Sequence, residues 1–438
     1  MNELVMAGQL ILSLAILVTL HELGHFVAAR AFGIKVEKFY LFFDAWGFKL
    51  FSFKKGDTEY GIGWLPLGGY VKISGMIDES LDTEQLKREP EPWEFRAKPA
   101  WQRLIVMIGG VTVNAILGII IFTFIAFAYG RDYLPIENAK HGIAALEFGQ
   151  NLGFKDGDKI LEVNGKKVEN FSDILDPNVY LSEHPTYKVE REGQTVNIEL
   201  PKGFIDSMAD KKGSFIAPRQ KFSVDTILKN DNKKSAPLQK GDIIISANDT
   251  ATPYYHVFTK IVTNVHNKDI PLVVVRKGDT LKLTANIDKN GKMGIGIKDD
   301  LETKTEYFSF GQSWGEGYNM AVENIALNVK FFGKVFTGNA DASKSLSGPI
   351  GIAQQFGGTW DWHRFWNLTG LLSVILAFMN LLPIPALDGG HVVFLLIEMV
   401  IRRPLPEKFL HVMQMIGMIL LLALMVFIFG NDIFKLFK

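Results

Sequence analysis

The chain has 438 residues, room for roughly two to four domains, and 47 % of them are hydrophobic, high for a water-soluble protein. Lys+Arg and Asp+Glu both number 47, so no excess of positive charge marks a nucleic-acid partner. Cys is absent, which excludes disulfides and thiolate ligands and leaves only nitrogen and oxygen donors for any metal.

The apolar residues are clustered in stretches 4–34, 104–129, 365–382 and 409–430. Each approaches the roughly 20 residues that cross a bilayer. The start, MNELVMAGQL, lacks the basic region of a cleavable signal peptide, so the first stretch reads as a retained span. The expected architecture is a polytopic α-helical membrane protein with four transmembrane helices, in 1–34, 101–130, 361–400 and 401–438. Lys and Arg collect at Arg30, Lys35, Lys38, at Arg96, Lys98, Arg103, and at Arg402, Arg403, Lys408. By the positive-inside rule the loop 35–100 and the turn 401–408 face the cytoplasm, and 130–360 lies outside with both termini.

The first stretch contains LVTLHELGHFV. His21 and His25 are four residues apart, one above the other on a helix face, about 6 Å along the axis. That is the HExxH spacing at which two imidazoles hold one Zn²⁺, with Glu22 placed to take a proton from water. On a soluble helix the same residues would form a solvated face. Inside a span a carboxylate costs roughly 2.5–3.5 kcal/mol even on the lenient insertion scale, which a metal site offsets. The 16 residues from Val5 to Leu20 make about 24 Å of helix, which places the motif within the bilayer, nearer its cytoplasmic side.

In the loop 35–100, TEYGIGWLPLGGYVKISGM (58–76) alternates, breaks at Pro66 and Gly68-Gly69, and alternates again. It predicts a membrane-associated β-hairpin or β-loop after helix 1. Gly68 and Gly69 permit a close backbone approach, and an edge strand through Tyr70 and Val71 could pair with an extended substrate; an ordinary surface hairpin reads the same way.

The long insert repeats itself. GDKILEVNGKKVENFSDIL (157–175) matches GDIIISANDTATPYYHVFTKI (241–261): a Gly-Asp turn, an alternating strand, an Asn-Gly or Asn-Asp turn and a short helical pattern. This resembles the PDZ domain, so two α+β PDZ-like domains are expected over 131–220 and 221–307, binding peptide ends or acting as spacers. In 308–360, Tyr318, Val322, Ile325, Val329, Phe332 and Phe336 form one apolar helical stripe, packed on a core or lying at the membrane surface.

NLLPIPALDGGH (380–391) interrupts the third apolar stretch with Pro383, Pro385, Gly389 and Gly390. Broken helix at membrane depth is tolerated where it lines protein or a watery cavity. A catalytic zinc needs a third ligand; the candidates are Asn114, Asn380, Asp388 and His391, with Asp388 offering a well-suited carboxylate and His391 as its rival. Asn380 could hydrogen-bond a substrate backbone or another helix. Asn114 reads as an interhelical hydrogen bond, and Gly109-Gly110 as a close helix contact.

HELGH in the first span, the GGYVK loop, paired PDZ-like inserts and NLLPIPALDGG together resemble the site-2 protease family of intramembrane zinc metalloproteases over nearly the whole chain. The resemblance implies Zn²⁺ on His21, His25 and Asp388, with Glu22 as catalytic base. It implies substrate contacts at Asn380, Pro383 and Pro385, and pairing of an unwound substrate with Gly68, Gly69, Tyr70 and Val71. It further implies a monomer in the bacterial inner membrane. Its PDZ pair would lie on the extracytoplasmic side and admit single-span substrates such as a trimmed anti-sigma factor or a leftover signal peptide. The family often carries Gly-Pro before the Asn of helix 2, where this chain has Gly110-Val111. A membrane-anchored peptidase for soluble peptides and an inactive PDZ scaffold are the competing classes.

Overall fold

A computed structural model describes residues 2–66, 68–76, 88–182, 184–201, 204, 214–230, 232–337 and 348–436. The chain divides into two compact units. The first holds residues 1–130 and 307–337 and the C-terminal part of the chain; the second is built on 131–306.

In the first unit, α1 (Asn2–Ala31), α2 (Ala100–Tyr129), α6 (Trp362–Leu381) and α8 (Glu407–Leu436) contain the segments long and apolar enough to cross a membrane. Among the described residues the other α-helices of this unit are α4 (Phe310–Phe336), α5 (Pro349–Phe356) and α7 (Asp388–Ile401). α2 lies at the centre, touching α1, α4, α6 and α7. Its crossing with α1 is made by glycine on both sides: a methyl group on Gly24 or Gly109 would run into the other's backbone.

α4 meets α2 differently from its apolar stripe. The buried positions are small, Ser313 and Ala321, and Gly317 sits directly on Thr123. Ile325 packs with α2 and α6 residues and Phe332 meets the Phe378 ring at 5.7 Å, whereas Tyr318, Val322 and Val329 stay exposed. The side chain of Phe336 is outside the described residues.

Between α1 and α2 the chain forms a four-stranded sheet of β1 (Val36–Leu41), β2 (Lys49–Lys55), β3 (Thr58–Gly63) and β4 (Tyr70–Ile73), in the order β2-β3-β1-β4. The expected hairpin is corrected here: β3 and β4 do not pair with each other. β1 lies between them, parallel to β3 and antiparallel to β4. The local pattern marked two strands, but β1 supplies the centre and its partners come from further along the chain. β4 is left as an edge.

The second unit begins at β5 (Arg131–Tyr133) and closes with β18 (Lys304–Glu306), which pairs with it. Between them one topology occurs twice. In the first copy, β6 (Ile143–Ala145) pairs with β11 (Ile216–Pro218), and β10-β9-β7-β8 form a sheet from Gln194–Glu199, Thr186–Arg191, Lys159–Val163 and Lys166–Lys167. In the second, β12 (Phe222–Ile227) pairs with β17 (Ile295–Asp299), and β16-β15-β13-β14 form the sheet from Asp279–Ile287, Lys268–Arg276, Ile243–Ala247 and Thr250–Ala251. The turns Asn164-Gly165 and Asn248-Asp249 both have positive φ, the backbone of a two-residue hairpin turn. A helical turn at Phe171–Ile174 and helix α3 (Tyr255–Thr263) follow at equivalent places.

Each copy also buries the aspartate of its Gly-Asp turn. Asp158 accepts a two-pronged bond from Arg191 at 2.7 Å on both prongs, and Asp242 one from Arg276 at 2.8 and 2.7 Å. The remaining capacity is met by the Lys155 and Gln239 amides.

Candidate metal centre

α1 presents His21 and His25 toward α2, their rings 4.9 Å apart. Room for both comes from Gly110, where a side chain would collide with the His21 and His25 imidazoles. The third group arrives through the break. α6 ends at Leu381; Pro383 and Pro385 lack the N–H that would continue it, and Ala386 takes φ 78°. α7 then starts at Asp388, so the carboxylate sits in a helix first turn, where the helix dipole favours an anion. Gly389 and Gly390 lie against the carbonyls of Leu381, Leu382 and Ile384, and Gly417 of α8 lies against the Pro385 carbonyl. No side chain could be added at any of the three without moving the break.

The resulting geometry is a triangle. His21 Nε2 and His25 Nε2 are 3.2 Å apart, and Asp388 Oδ2 is 3.2 Å from the first and 3.3 Å from the second. Among the described residues this is the group of His and acidic side chains close enough to hold one ion. His391 is not part of it; its ring packs near Phe394, 6.4 Å away. A tetrahedral zinc with ligand distances of about 2.0–2.1 Å needs donor separations of about 3.3–3.4 Å, and the observed edges fit.

The protonation pattern agrees. His25 Nδ1 donates to the Val106 carbonyl at 2.8 Å, which leaves a lone pair on Nε2. Asn114, buried, has its side-chain Nδ2 3.2 Å from His21 Nδ1, and its Oδ1 has no partner. Turning the amide over, an exchange of its O and N that leaves the heavy-atom positions unchanged, would let Oδ1 accept the Nδ1 proton and free His21 Nε2 to bind a metal. Asp388 Oδ2 is buried without a hydrogen bond. Three lone-pair atoms facing one point repel unless a cation lies between them, so the donor set fits a divalent ion.

The other expected residues fall into two groups. Asn380, next to the end of α6, has Nδ2 3.4 Å from His21 Nε2. Pro383 and Pro385 line the break already described. Gly68 and Gly69 precede β4; Gly69 abuts the Val18 side chain, one turn before His21, and Gly68 abuts the Phe43 ring. The Val71 backbone N–H faces the Glu22 carboxylate. Gly110, read from sequence as a close helix contact, touches both imidazoles, and Asn114, one of the candidate third ligands, lies outside the triangle and touches the His21 ring.

Comparison with known proteins defines the class. The model of peptidase family M50 matches residues 9–424, and the chain belongs to this family of site-2 zinc metalloproteases. Among its relatives are the regulator of sigma E protease of Haemophilus influenzae, 30 % identical with 98 % of each chain covered, and the regulator of sigma-E protease RseP of Escherichia coli K12, 30 % identical with 97 % of this chain and 98 % of the relative covered. A Vibrio cholerae protein named as a zinc metalloprotease is 28 % identical over 97 % of this chain. The chain is a membrane zinc metalloendopeptidase.

Proposed function

We propose that this chain hydrolyses peptide bonds within the transmembrane segments of single-span proteins, with zinc on His21, His25 and Asp388. The observation that carries the reading is the triangle of three donors, set in α1 and at the α6–α7 break of a unit made of membrane-length helices. Bound zinc supplies Lewis acidity toward the scissile carbonyl. Glu22 takes the proton of the attacking water on its carboxylate and returns it to the leaving amine nitrogen. Asn380, beside His21, holds the substrate backbone, and Pro383 and Pro385 keep the facing segment out of helix.

A peptide bond in a membrane helix is shielded by its own hydrogen bonds, so cleavage requires unwinding. β4 offers an edge on which the unwound segment pairs, entering past Gly68 and Gly69 and along Tyr70 and Val71. Two copies of one topology in the insert support two PDZ-like units; the Lys and Arg flanking the spans favour the extracytoplasmic side of the bacterial inner membrane for them, where they admit trimmed substrates. The relatives named as regulators of sigma E support an anti-sigma factor as substrate; a leftover signal peptide has the same single-span form.

The test is reconstitution in liposomes with a single-span protein and a soluble peptide of the same cleavage sequence. The wild type is expected to cut only the membrane-embedded form. Glu22→Gln is expected to lower the rate by roughly 10³-fold while keeping its zinc. Equal cutting of the soluble peptide would overturn the intramembrane reading, and full activity of Glu22→Gln would overturn the base.

A further inference from the structure

Two charged side chains and a phenol lie where the edge strand reaches deepest. Gly69 touches Val18, which is 13 residues before the end of α1 at Ala31, so β4 begins about 20 Å along α1 from its sheet-proximal end. On the reading of α1 as a span, this places the strand's start within the bilayer, where a lone charge is unfavourable. Lys38 Nζ, on β1, donates to Asp44 Oδ2 at 3.2 Å and to the Tyr70 hydroxyl oxygen at 3.3 Å. The Tyr70 hydroxyl donates to Asp44 Oδ1 at 2.9 Å. Asp44 lies just beyond β1, so the closed ring of bonds ties the β1–β2 connection to β1 and to the first residue of β4. The Tyr70 ring is stacked on Tyr40 at 5.4 Å and on Phe43 at 6.0 Å, with interplanar angles of 20° and 7°.

We infer that Lys38, Asp44 and Tyr70 are positioning residues that hold β4 rigidly at the level of Glu22, so that strand pairing can offset the unwinding of a substrate helix; this rests on the reading of β4 as the docking edge. The Tyr70 side chain is engaged within the sheet, and the strand's backbone is what remains for substrate. The next residue, Val71, directs its N–H to Glu22, so a shift of β4 displaces the docking edge and the contact to the base together. Neither Lys38 nor Asp44 belongs to the metal triangle.

The dependence on such a clamp grows with the stability of the helix to be opened. The test uses the full chain in liposomes with two single-span substrates, identical except that one carries Gly-Pro beside the scissile bond. Tyr70→Phe, which removes one hydroxyl, and Asp44→Asn should each lower kcat/KM by about tenfold on the intact helix. The loss on the helix-broken substrate should be threefold or less, with zinc content unchanged. Equal losses on both substrates, or none on either, would overturn the clamp. Because the chain lacks Cys, Lys72→Cys gives a single thiol on β4 for disulfide capture of a Cys placed in the substrate span. Capture that is strong in the parent and weak with Tyr70→Phe supports the clamp. Capture absent in the parent would overturn the docking edge itself.

Discussion

Asp158 in the β insert is fully buried, and Asp388 in the helical unit, partly exposed as a residue, turns its Oδ2 away from water; the two carboxylates are held on different terms. Asp158 is held by two prongs from Arg191 and by a backbone amide, and Asp242 repeats the arrangement with Arg276. Asp388 Oδ2 has no hydrogen bond and faces two imidazole nitrogens. A carboxylate satisfied by its own fold is structural; one left unsatisfied among lone pairs is a place for something else. The comparison separates three aspartates that sequence alone presents as similar Asp residues beside glycine.

The largest effect should come from breaking the unsatisfied set. His21→Ala should reduce zinc from about one per chain to near zero by metal analysis and abolish proteolysis, leaving the β insert folded by circular dichroism. Zinc retained in His21→Ala would remove the contrast.

A smaller loss should follow from the groups that orient the ligands. Asn114→Ala and Gly110→Ala should each weaken zinc roughly 10–100-fold in a chelator competition, the first by freeing the His21 ring and the second by crowding both rings. Unchanged affinity in both would show that the imidazoles are oriented by α1 alone.

In the insert the expected effect is on stability rather than on metal. Arg191→Ala leaves Asp158 buried without its partner and should cost about 3 kcal/mol, read as earlier unfolding of the insert at unchanged zinc content. The mildest effect concerns acid. The Arg276 guanidinium holds the Asp242 carboxyl below its usual range, against the opposing effect of burial. A lowered folded-state pKa stabilises above the unfolded value of about 4, and that contribution is lost as pH falls toward the folded value. The protection factors of amides in β13 and β15, exchange being taken relative to its intrinsic rate at each pH, should therefore be constant from about pH 5 to 8 and fall below about pH 4. A loss of protection between pH 5 and 8 would point to a different titrating group.

Much of the candidate site was legible because polar residues in an apolar run stand out energetically: His21, Glu22 and His25 in the first stretch, Asp388 in a break made by prolines. The insert's repeat was legible through its turns, since Asn-Gly and Asn-Asp specify positive φ locally. The sheet was only half legible. A strand pattern at 58–63 and 70–73 says that strands form, not with whom, and β1 entered between them through long-range pairing. The α4 stripe marked a helix but not its contact with α2, because hydropathy weights large side chains, whereas α4 meets α2 at Gly317 and Ala321 as well as Ile325. Asn114 gave no sequence signal beyond being polar in a span; its meaning depends on which ring it faces.

The most direct test is zinc K-edge absorption on the purified wild type and on Asp388→Asn. The wild type should show only nitrogen and oxygen neighbours near 2.0–2.1 Å, two of them imidazole. Asp388→Asn should lose the zinc or change that shell. An identical spectrum at full zinc content in Asp388→Asn would contradict the claim that α1 and the start of α7 share one ion.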